Sequence, residues 1–438
     1  MPSLLIRGGT LLAMRDGSRA ERGDVLIVGS RIEDTGRVEP RPDSEILDAT
    51  GCYVLPGLVQ AHAHLIQTLF RGAAEDLPLL EWLRRRVWPL EAAHDEASLR
   101  SSVRLGVHEL LTTGTTTVLD MGTSHGGDVV AEELIRSGIR ARFGQAMMDT
   151  GEGVPATLLE KTRASLDASA ELKERWDGQG NGRIGYSYAP RFALSCTREL
   201  LEAVAALSRM TGTLVHTHSN ENADERAQVE RVTGRSPIGY LAEVGLMSER
   251  TVIAHGVHLD DAEVRTLAET GASIAHCPSS NLKLGSGIAD VPRLRQARVN
   301  VGLGSDGAAC NNGLDGFEEA RLAALVARSR GEANALTAAD ALFLATRGGA
   351  KALGIADVGM LQPVARADLV ILDAERLALG GDPATRIVFG GGSRAVRDVI
   401  IHGDVLVRDF RPTRYDPAEV LAHATEARSA LAQRAAVT

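Results

Sequence analysis

The chain has 438 residues, which at about 150 residues per domain allows up to three domains. Hydrophobic residues make up 44% of it and charged residues 24%, and no run approaches 18 apolar residues, which excludes a disordered chain and a membrane-spanning helix. A formal net charge of -9 and scattered arginines disfavour binding to nucleic acid, so we expect a small ligand. The start of the chain lacks the unbroken apolar stretch of a signal peptide, and the four cysteines are far apart without a CxxC pair. Both features are typical of a cytoplasmic protein with reduced thiols.

Both ends of the chain contain short β-branched runs separated by turn residues. The first runs are LLIRGGTLLAM, DVLIVGSRIEDTG and EILDATGCYVL, and the same texture returns in ADLVILDAE and AVRDVIIHGDVLVRDF. Such runs predict a meander of short strands. We expect residues 1–55 and 358–415 to share one small β-domain.

Between the two ends, short apolar runs alternate with helical segments, which predicts repeated βα units on a parallel sheet. Eight candidate strands occur in the order VLPGLVQAHAH, GTTTVLD, RARFGQAMM, RIGYSYAP, GTLVHTHSN, TVIAHGVHL, ASIAHCPSS and VNVGLGSDG. That number predicts a (β/α)8 barrel over residues 56–357, the α/β class of fold. Helices are expected over 337–353 and 417–435, the second of them in a C-terminal segment, 416–438.

The connection Leu77 to His94, LPLLEWLRRRVWPLEAAH, is long for a βα loop and contains two of the three tryptophans. One interpretation is a lid over the barrel mouth, from which Trp82 would contact a substrate. The other is a surface helix that packs Trp82 and Trp88 on the barrel.

The first predicted barrel strand ends in His62 and His64. Because side chains alternate along a strand, both imidazoles lie on one face, directed into the barrel mouth, as two ligands of one metal would be. His216 and His218 repeat this spacing on the fifth strand, where one ligand is sufficient. His218 lies nearer the C-terminal rim, where the active sites of such barrels lie, so it is the favoured ligand. We expect His216 to be buried and hydrogen-bonded.

Three further polar residues follow strand ends. Glu221 lies three residues past His218, where a carboxylate can reach both an attacking water and a substrate, which makes it a candidate proton shuttle rather than a helix cap. His255 ends the sixth strand and is a candidate to orient the water, whereas His258 is expected to face away. Asp306 ends the eighth strand between glycines that let the backbone bring its carboxylate close to the centre.

Motifs carrying these residues resemble the amidohydrolase superfamily, in its branch of nucleobase, nucleoside and triazine aminohydrolases. They are LPGLVQAHAHLIQTLFRG, HTHSNE, AHGVHL, AHCPSSNLKLGSGIA and GSDGAACNNGLD, in that order along the chain. The resemblance spans nearly the whole chain. It implies that the two chain ends build a small β-sandwich beside the barrel.

The resemblance also assigns roles to the strand-end residues. The implied metal ligands are His62, His64, His218 and Asp306. Glu221 and His255 would be the catalytic pair, and Asp306 would in addition accept a proton from the attacking water. The fourth strand, RIGYSYAP, lacks the lysine that holds a second metal in binuclear relatives, so one divalent metal is expected. We expect zinc, although three histidines and an aspartate also suit iron and manganese.

These parts imply a hydrolytic deamination. A divalent metal lowers the pKa of bound water from 15.7 towards about 7. Glu221 would pass a proton to the ring nitrogen beside the attacked carbon, and loss of ammonia would leave a ring carbonyl.

The substrate is expected to be an adenine nucleoside. The run LFRGAAEDLPLLEWLRRRVWPLEAAHDE and the loop SDGAACNNGLD resemble 5'-deoxyadenosine and 5'-methylthioadenosine/S-adenosylhomocysteine deaminases. In that branch a lid glutamate binds the ribose hydroxyls, and Glu91 is at the matching position, with a solvated carboxylate as the alternative. Arg191 follows Pro190 at the position where S-adenosylhomocysteine deaminases usually have a histidine, and Phe192 comes next. This pair resembles guanine deaminases and is expected to contact the base, unless Arg191 is a structural ion-pair partner.

The 5' side of the nucleoside is expected to meet residues 145–160, QAMMDTGEGVPATLLE. This stretch has three acidic residues and two methionines, and it has no basic residue that could pair with a carboxylate. We therefore expect 5'-deoxyadenosine, 5'-methylthioadenosine and adenosine to be better substrates than S-adenosylhomocysteine.

Other functions are compatible with the same motifs. A guanine or other nucleobase deaminase and an s-triazine amino- or chlorohydrolase would use the same barrel and metal. A non-catalytic barrel module is disfavoured because every ligand is present. We expect a small nucleoside or purine as the partner, no nucleic acid or membrane, and, from the resemblance, a homo-oligomer.

Overall fold

The structure is a computed structural model that describes residues 3–15, 17, 19–329, 331–378 and 380–436. Five strands precede the barrel, and they are β1 (Ser3–Leu11), β2 (Glu21–Val28), β3 (Arg31–Gly36), β4 (Glu45–Asp48) and β5 (Cys52–Pro56). The barrel strands are β6 (Leu58–His64), β7 (Thr115–Thr123), β8 (Arg140–Met147), β9 (Ile184–Pro190), β10 (Leu214–Ser219), β11 (Thr251–His255), β12 (Ser273–His276) and β13 (Asn300–Leu303), followed by the short β14 (Asp306–Gly307). The last strands are β15 (Leu369–Asp373), β16 (Val396–Ile401), β17 (Asp404–Arg408) and β18 (Arg411–Pro412).

Helices connect and surround these strands. In chain order they are α1 (Leu79–Trp82), α2 (Trp88–Ala92), α3 (Glu96–Thr112), α4 (Gly127–Ser137), α5 (Thr162–Trp176), α6 (Gln179–Gly182), α7 (Arg198–Thr211), α8 (Ala223–Thr233), α9 (Pro237–Glu243), α10 (Asp261–Thr270), α11 (Pro278–Lys283), α12 (Val291–Gln296), α13 (Gly316–Arg328), α14 (Ala338–Phe343), α15 (Gly349–Ala352), α16 (Pro383–Phe389) and α17 (Pro417–Ala435). A π-helical turn joins α1 to α2, and another joins α14 to α15. In the part of the chain that the structure describes, none of these helices has the length and apolar character needed to cross a bilayer.

Strands β6 to β13 form a closed parallel barrel. Each strand pairs with the next, and β13 and β14 pair with β6, so the ring has no open edge. The strands are buried along almost their whole length, as expected where helices cover the outside and side chains fill the inside. The (β/α)8 prediction is confirmed, and each of the eight predicted runs contains one barrel strand.

Local sequence signals account for the helices between the strands. In α7, Thr197 caps the N-terminus by accepting a hydrogen bond from the backbone N–H of Leu200, and Gly212 ends the helix with a left-handed φ of 71°. The apolar residues between them recur at helical spacing and face the barrel. The predicted helix over 417–435 coincides with α17, and the one over 337–353 corresponds to α14, its π turn and α15.

The two ends of the chain meet in one nine-stranded sheet. Its order is β18-β17-β16-β15-β5-β1-β2-β3, with β4 paired to β1, so C-terminal strands lie beside N-terminal ones through the antiparallel contact of β15 with β5. The prediction that both ends share a β-domain is confirmed. The boundaries at 55, 357 and 415 stay a prediction.

The barrel and the sheet are joined closely at the bottom of the barrel. Only Gly57 separates β5 from β6, and a side chain there would collide with Thr116, because its Cβ would lie 2.0 Å from the threonine Cγ2. A second junction is the buried ion pair of Arg140 on β8 with Asp368, with Nε and Oδ2 2.5 Å apart. Asp368 also accepts the backbone N–H of His402, at 2.8 Å. The pair therefore ties the first residue of β8 to two segments of the C-terminal sheet.

Breaking this ion pair should destabilise the protein strongly. We expect Asp368→Asn to lower the free energy of unfolding by about 3–5 kcal/mol, because it leaves the Arg140 charge buried without its partner. Thermal denaturation measures the loss. Asp167→Asn, which removes the exposed pair of Arg163 and Asp167, is the control and should cost under about 1 kcal/mol. A similar, small loss in both variants would contradict the assignment.

Candidate metal centre and active site

Four side chains converge at the C-terminal mouth of the barrel. They are His62 and His64 from β6, His218 from β10 and Asp306 from β14. One ligand atom from each lies within 4.8 Å of all the others. The structure thus brings together the four residues that the sequence pattern selects as metal ligands.

The backbone that presents these ligands is irregular. The pairing of β6 with β7 shifts register between Gln60 and Ala63, and such a bulge re-aims side chains near a site. Asp306 has a left-handed φ of 60°, a conformation that costs free energy and that surrounding structure must hold in place. The preceding Gly304 lies so close to His62 that a Cβ would come within 2.7 Å of the His62 carbonyl oxygen. Glycine is therefore required for this approach.

The spacing of the ligand atoms fits a divalent metal. Asp306 Oδ1 lies 3.2 Å from His62 Nε2 and 3.5 Å from His64 Nε2, and the Nε2 atoms of His64 and His218 are 3.1 Å apart. Ligands about 2.0–2.2 Å from a tetrahedral zinc are separated by about 3.3–3.6 Å. His62 Nε2 is moreover fully buried without a hydrogen-bond partner. A cation at this point would satisfy that nitrogen and would account for the close approach of three imidazoles and a carboxylate.

Hydrogen bonds select the ring nitrogens that face the centre. His218 donates its Nδ1–H to the backbone carbonyl oxygen of Arg191 at 2.7 Å, which leaves Nε2 with a lone pair. Burial lowers the pKa of His64 and of His218 well below the ordinary value, so both rings are neutral, as metal ligands must be. His62 Nδ1 lies 2.8 Å from Nε2 of His216, which is itself completely buried. The prediction that His216 is a buried, hydrogen-bonded histidine is confirmed.

Glu221 and His255 face one another beside the four ligands. Their Oε2 and Nε2 atoms are 3.4 Å apart, and His255 Nε2 is 3.9 Å from Asp306 Oδ2. Burial, followed by the charges of Asp306 and Glu225, raises the pKa of Glu221 well above its ordinary value, so this carboxyl group holds a proton readily. Burial lowers the pKa of His255 to about 4, which keeps the ring neutral. The pair combines a proton donor with a neutral imidazole.

Two residues of α11 orient this machinery. Asn281 Oδ1 lies 2.9 Å from His255 Nδ1, so the imidazole donates from Nδ1 and directs an Nε2 lone pair towards Glu221 and Asp306. Ser280 donates its hydroxyl to Asp306 Oδ2 at 2.7 Å. Both residues lie in the motif AHCPSSNLKLGSGIA, and nothing in their local spacing marks them as part of the site.

A cavity opens above the centre. Its walls are formed by His64, Gln67, Leu79, Trp82, Leu83, Arg191, Phe192, His218, Glu221, Glu225, His255 and Asp306. Residues of the lid segment therefore contribute the apolar wall, with Trp82 Nε1 donating to the Ala74 carbonyl oxygen at 3.1 Å. Trp88 is buried in the apolar cluster beneath the lid. The segment thus both covers the mouth and packs its tryptophans on the barrel, so the two interpretations of it are compatible.

Arg191 and Glu91 form a buried bidentate ion pair at the cavity wall. The guanidinium nitrogens lie 2.6 and 3.1 Å from the Glu91 oxygens, and Gln67 donates to the same carboxylate at 2.9 Å. Arg191 and Gln67 line the cavity, and Glu91 lies behind them. Arg191 is an ion-pair partner and also faces the cavity, and its contact with the base stays a prediction. Glu91 is buried, so it is not a solvated carboxylate.

The acidic residues of 145–160 were expected to meet the 5' side of the nucleoside, but they do not line the cavity. Asp149 accepts the backbone N–H of Thr197 at 2.6 Å, Glu160 accepts from Gln145 at 2.6 Å, and Glu152 is largely exposed beside Arg84. Within the described chain, no residue of this stretch lines the cavity. The acidic side chains are thus engaged by neighbouring protein groups, and the effect of this stretch on the 5' group stays a prediction.

Asp120 is a buried polar residue that the sequence reasoning missed. It lies on β7 and accepts the backbone N–H of Leu65 at 2.8 Å, which fixes the turn directly after His64. Burial raises its pKa to about 7. The signal was available, because Asp120 lies at the end of the predicted strand GTTTVLD, as the other site residues lie at the ends of theirs.

A barrel with this donor set and a proton-transfer pair at its C-terminal face defines the class of metal-dependent hydrolases. The model of the amidohydrolase family matches residues 53–406, and the chain belongs to that family. It is 39% identical over 411 residues to the 5'-deoxyadenosine deaminase of Methanothermobacter thermautotrophicus, covering 93% of each chain. It is 38% identical to the 5-methylthioadenosine/S-adenosylhomocysteine deaminase of Halobacterium salinarum, covering 99% of this chain and 96% of that one. A crystal structure of an adenosine deaminase from Xanthomonas campestris with bound zinc superposes with a TM-score of 0.92 at 31% identity, over 99% of both chains.

Removing a ligand should remove the metal. We expect the purified protein to hold one divalent metal per chain, and His62→Ala and Asp306→Ala each to reduce that content at least tenfold and abolish activity. Elemental analysis of protein with matched folding, checked by circular dichroism, measures it. His125→Ala, which changes an exposed histidine, is the control and should retain metal. Two metal equivalents at full occupancy would contradict the single site.

Proposed function

We propose that the protein is a metal-dependent aminohydrolase that deaminates an adenine nucleoside to the inosine analogue and ammonia. The observation that carries the proposal is the placement of Glu221 and His255, 3.4 Å apart, beside a four-ligand centre, all facing one cavity. Deaminases of adenine nucleosides among the relatives, at 38–39% identity over more than nine-tenths of this chain, support the choice of base.

The four ligands would hold one divalent metal, for which we propose zinc. Neutral imidazoles and a carboxylate suit zinc, and iron and manganese accept the same donors. Zinc is bound in the related adenosine deaminase from Xanthomonas campestris. When bound, the metal supplies hydroxide at neutral pH by lowering the pKa of water.

The protein residues handle the protons. Asp306, held by Ser280 through Oδ2, accepts the proton that the attacking water loses. His255 accepts a hydrogen bond from the attacking oxygen through its Nε2 lone pair and so directs the attack on the amino-bearing ring carbon. Glu221 donates its proton to the adjacent ring nitrogen, because the amidine carbon becomes electrophilic only when that nitrogen is protonated.

The same groups complete the reaction. Asp306 returns its proton to the amino group, which turns it into a leaving group, and the carbon–nitrogen bond breaks as the ring carbonyl forms. The hydroxyl proton released in this step restores the proton of Glu221. One water is consumed, and the products are ammonia and the oxo ring. A buried site favours these transfers because bulk water does not compete for the protons.

The cavity wall suggests how the nucleoside is held. Trp82 and Phe192 offer aromatic faces that can stack on the base. Arg191, kept in place by Glu91, presents its guanidinium as a donor to base nitrogens or ribose oxygens. We propose that Glu91 acts on the substrate through Arg191 and Gln67, since these two residues separate it from the cavity.

Glu221→Gln should separate metal binding from turnover. Glutamine occupies the same space but cannot transfer a proton, so we expect kcat for an adenine nucleoside to fall at least about a hundredfold with metal content nearly unchanged. The loss of absorbance on deamination measures kcat. Glu249→Gln, at an exposed glutamate, is the matched control and should keep full activity. If the Glu221 variant kept more than a tenth of wild-type kcat, another residue would have to be the shuttle.

The 5' substituent should affect the rate through charge. Among the described residues that line the cavity, Arg191 is the only permanently charged cation, and it already pairs with Glu91. The carboxylate of S-adenosylhomocysteine would lose water without gaining a free cation, so we expect its kcat/KM to be about tenfold lower than that of 5'-methylthioadenosine, a loss of ~1.4 kcal/mol. The two compounds share base, ribose and thioether, and 5'-deoxyadenosine and adenosine complete the panel. A preference for S-adenosylhomocysteine would contradict the prediction, and faster turnover of guanine would move the proposed substrate to a nucleobase.

A further inference from the structure

Glu225 is a buried carboxylate that the reaction described above does not use. It lies in the first turn of α8, is 2% exposed and contributes to the cavity wall next to Glu221. Its local role is that of a capping box, in which the third helical residue accepts the N–H of the capping residue, here Asn222.

The hydrogen bonds to Glu225 exceed what a capping box needs. Its Oε2 accepts the N–H of Glu221 at 2.8 Å and that of Asn222 at 3.4 Å. The equivalent carboxylate of α14, on Asp340, accepts the backbone N–H of its own capping residue at 3.0 Å. Glu225 therefore accepts two successive backbone N–H groups, one of them from the residue before the capping residue.

Those amides belong to the segment that turns Glu221 towards the centre. Asn220 has a left-handed φ of 57°, which costs free energy unless neighbouring contacts hold it. Its side chain is anchored to the His258 carbonyl oxygen at 2.8 Å and to Glu263, so the turn is fixed on one side by Asn220 and on the other by Glu225. The direction of the Glu221 side chain depends on both anchors.

We propose that Glu225 is the positioning residue of Glu221: its carboxylate accepts the N–H groups of Glu221 and Asn222 and so aims the Glu221 carboxyl group at the attacked ring. The inference rests on the proposed function, in which Glu221 transfers the proton. A buried carboxylate that accepts both amides holds this backbone in place, and acid–base catalysis loses efficiency steeply when the donor is misplaced by about 1 Å.

A double-mutant cycle tests this positioning role. The wild type, Glu225→Ala, Glu221→Gln and the double variant are assayed with 5'-deoxyadenosine, 5'-methylthioadenosine and guanine, each at equal metal loading. We expect Glu225→Ala to lower kcat at least tenfold with KM within threefold. In the Glu221→Gln background it should cost less than twofold, because the residue acts through Glu221. Equal losses in both backgrounds, or full kcat in Glu225→Ala, would overturn the proposal.

Two further variants separate positioning from folding. Glu225→Gln keeps an acceptor oxygen and should recover at least threefold of the kcat lost in Glu225→Ala, whereas Asp340→Asn, at the capping box of α14, should leave kcat within twofold of wild type. No recovery in the glutamine variant would count against the role of the accepted hydrogen bonds.

Amide hydrogen exchange tests the positioning role without any substrate. In Glu225→Ala the amides of Glu221 and Asn222 should exchange at least tenfold faster than in the wild type. Unchanged exchange would overturn the positioning role. If the wild type turned over none of the three compounds, the proposed function would fail while the exchange experiment would still decide this inference.

Discussion

The convergence of three imidazoles and one carboxylate in a buried space is the constraint on which the rest of the site depends. Their nitrogen and oxygen atoms lie 3.1–3.5 Å from one another and away from water, a spacing that fits a cation between them. The barrel supplies the rigidity for this, since a closed ring of paired strands holds its strand ends at constant separation. Two backbone irregularities, the bulge of β6 and the left-handed conformation of Asp306, occur beside the candidate ligands. They direct these side chains away from the regular strand geometry.

Arg191 connects the metal centre to the lid. Its backbone carbonyl oxygen accepts from the ligand His218, and its side chain binds Glu91 on α2. One residue therefore orients a ligand ring, faces the cavity and anchors the segment that covers it. The lid segment also belongs to an apolar cluster that includes residues of α17. The C-terminal helix therefore packs on the segment that covers the cavity.

Three carboxyl groups meet around the proposed reaction centre with different surroundings. Asp306 receives a hydroxyl donor and lies near three imidazoles, Glu221 leaves one oxygen without a hydrogen-bond partner, and Glu225 accepts two backbone amides. These surroundings suit the same chemical group to the three roles proposed above, namely a ligand, a proton carrier and a positioning residue. Such separation of titratable groups by their surroundings is the usual way in which one site combines acid and base chemistry.

Much of this could be read from the amino-acid sequence. Alternation of apolar runs and helical segments predicted the barrel, and the period of two in His62 and His64 placed two ligands on one face, because local backbone geometry alone sets that spacing. The choice of His218 over His216 followed from position along a strand. Whether these strand ends come within one coordination sphere depends on closure of the barrel, which no local pattern encodes.

Contacts between distant segments were decided by the tertiary structure. The pairing of Glu91 with Arg191, 100 residues apart, and of Arg140 with Asp368, 228 residues apart, depends on how the elements pack. The acidic residues of 145–160 are an example in which packing overrides a sequence-based expectation. Their charges suggested that they line the cavity, whereas Asp149 and Glu160 accept hydrogen bonds from other residues outside it. Sequence determines which chemical groups are available and their local spacing, whereas packing determines which of them share a buried, water-poor space and therefore interact strongly.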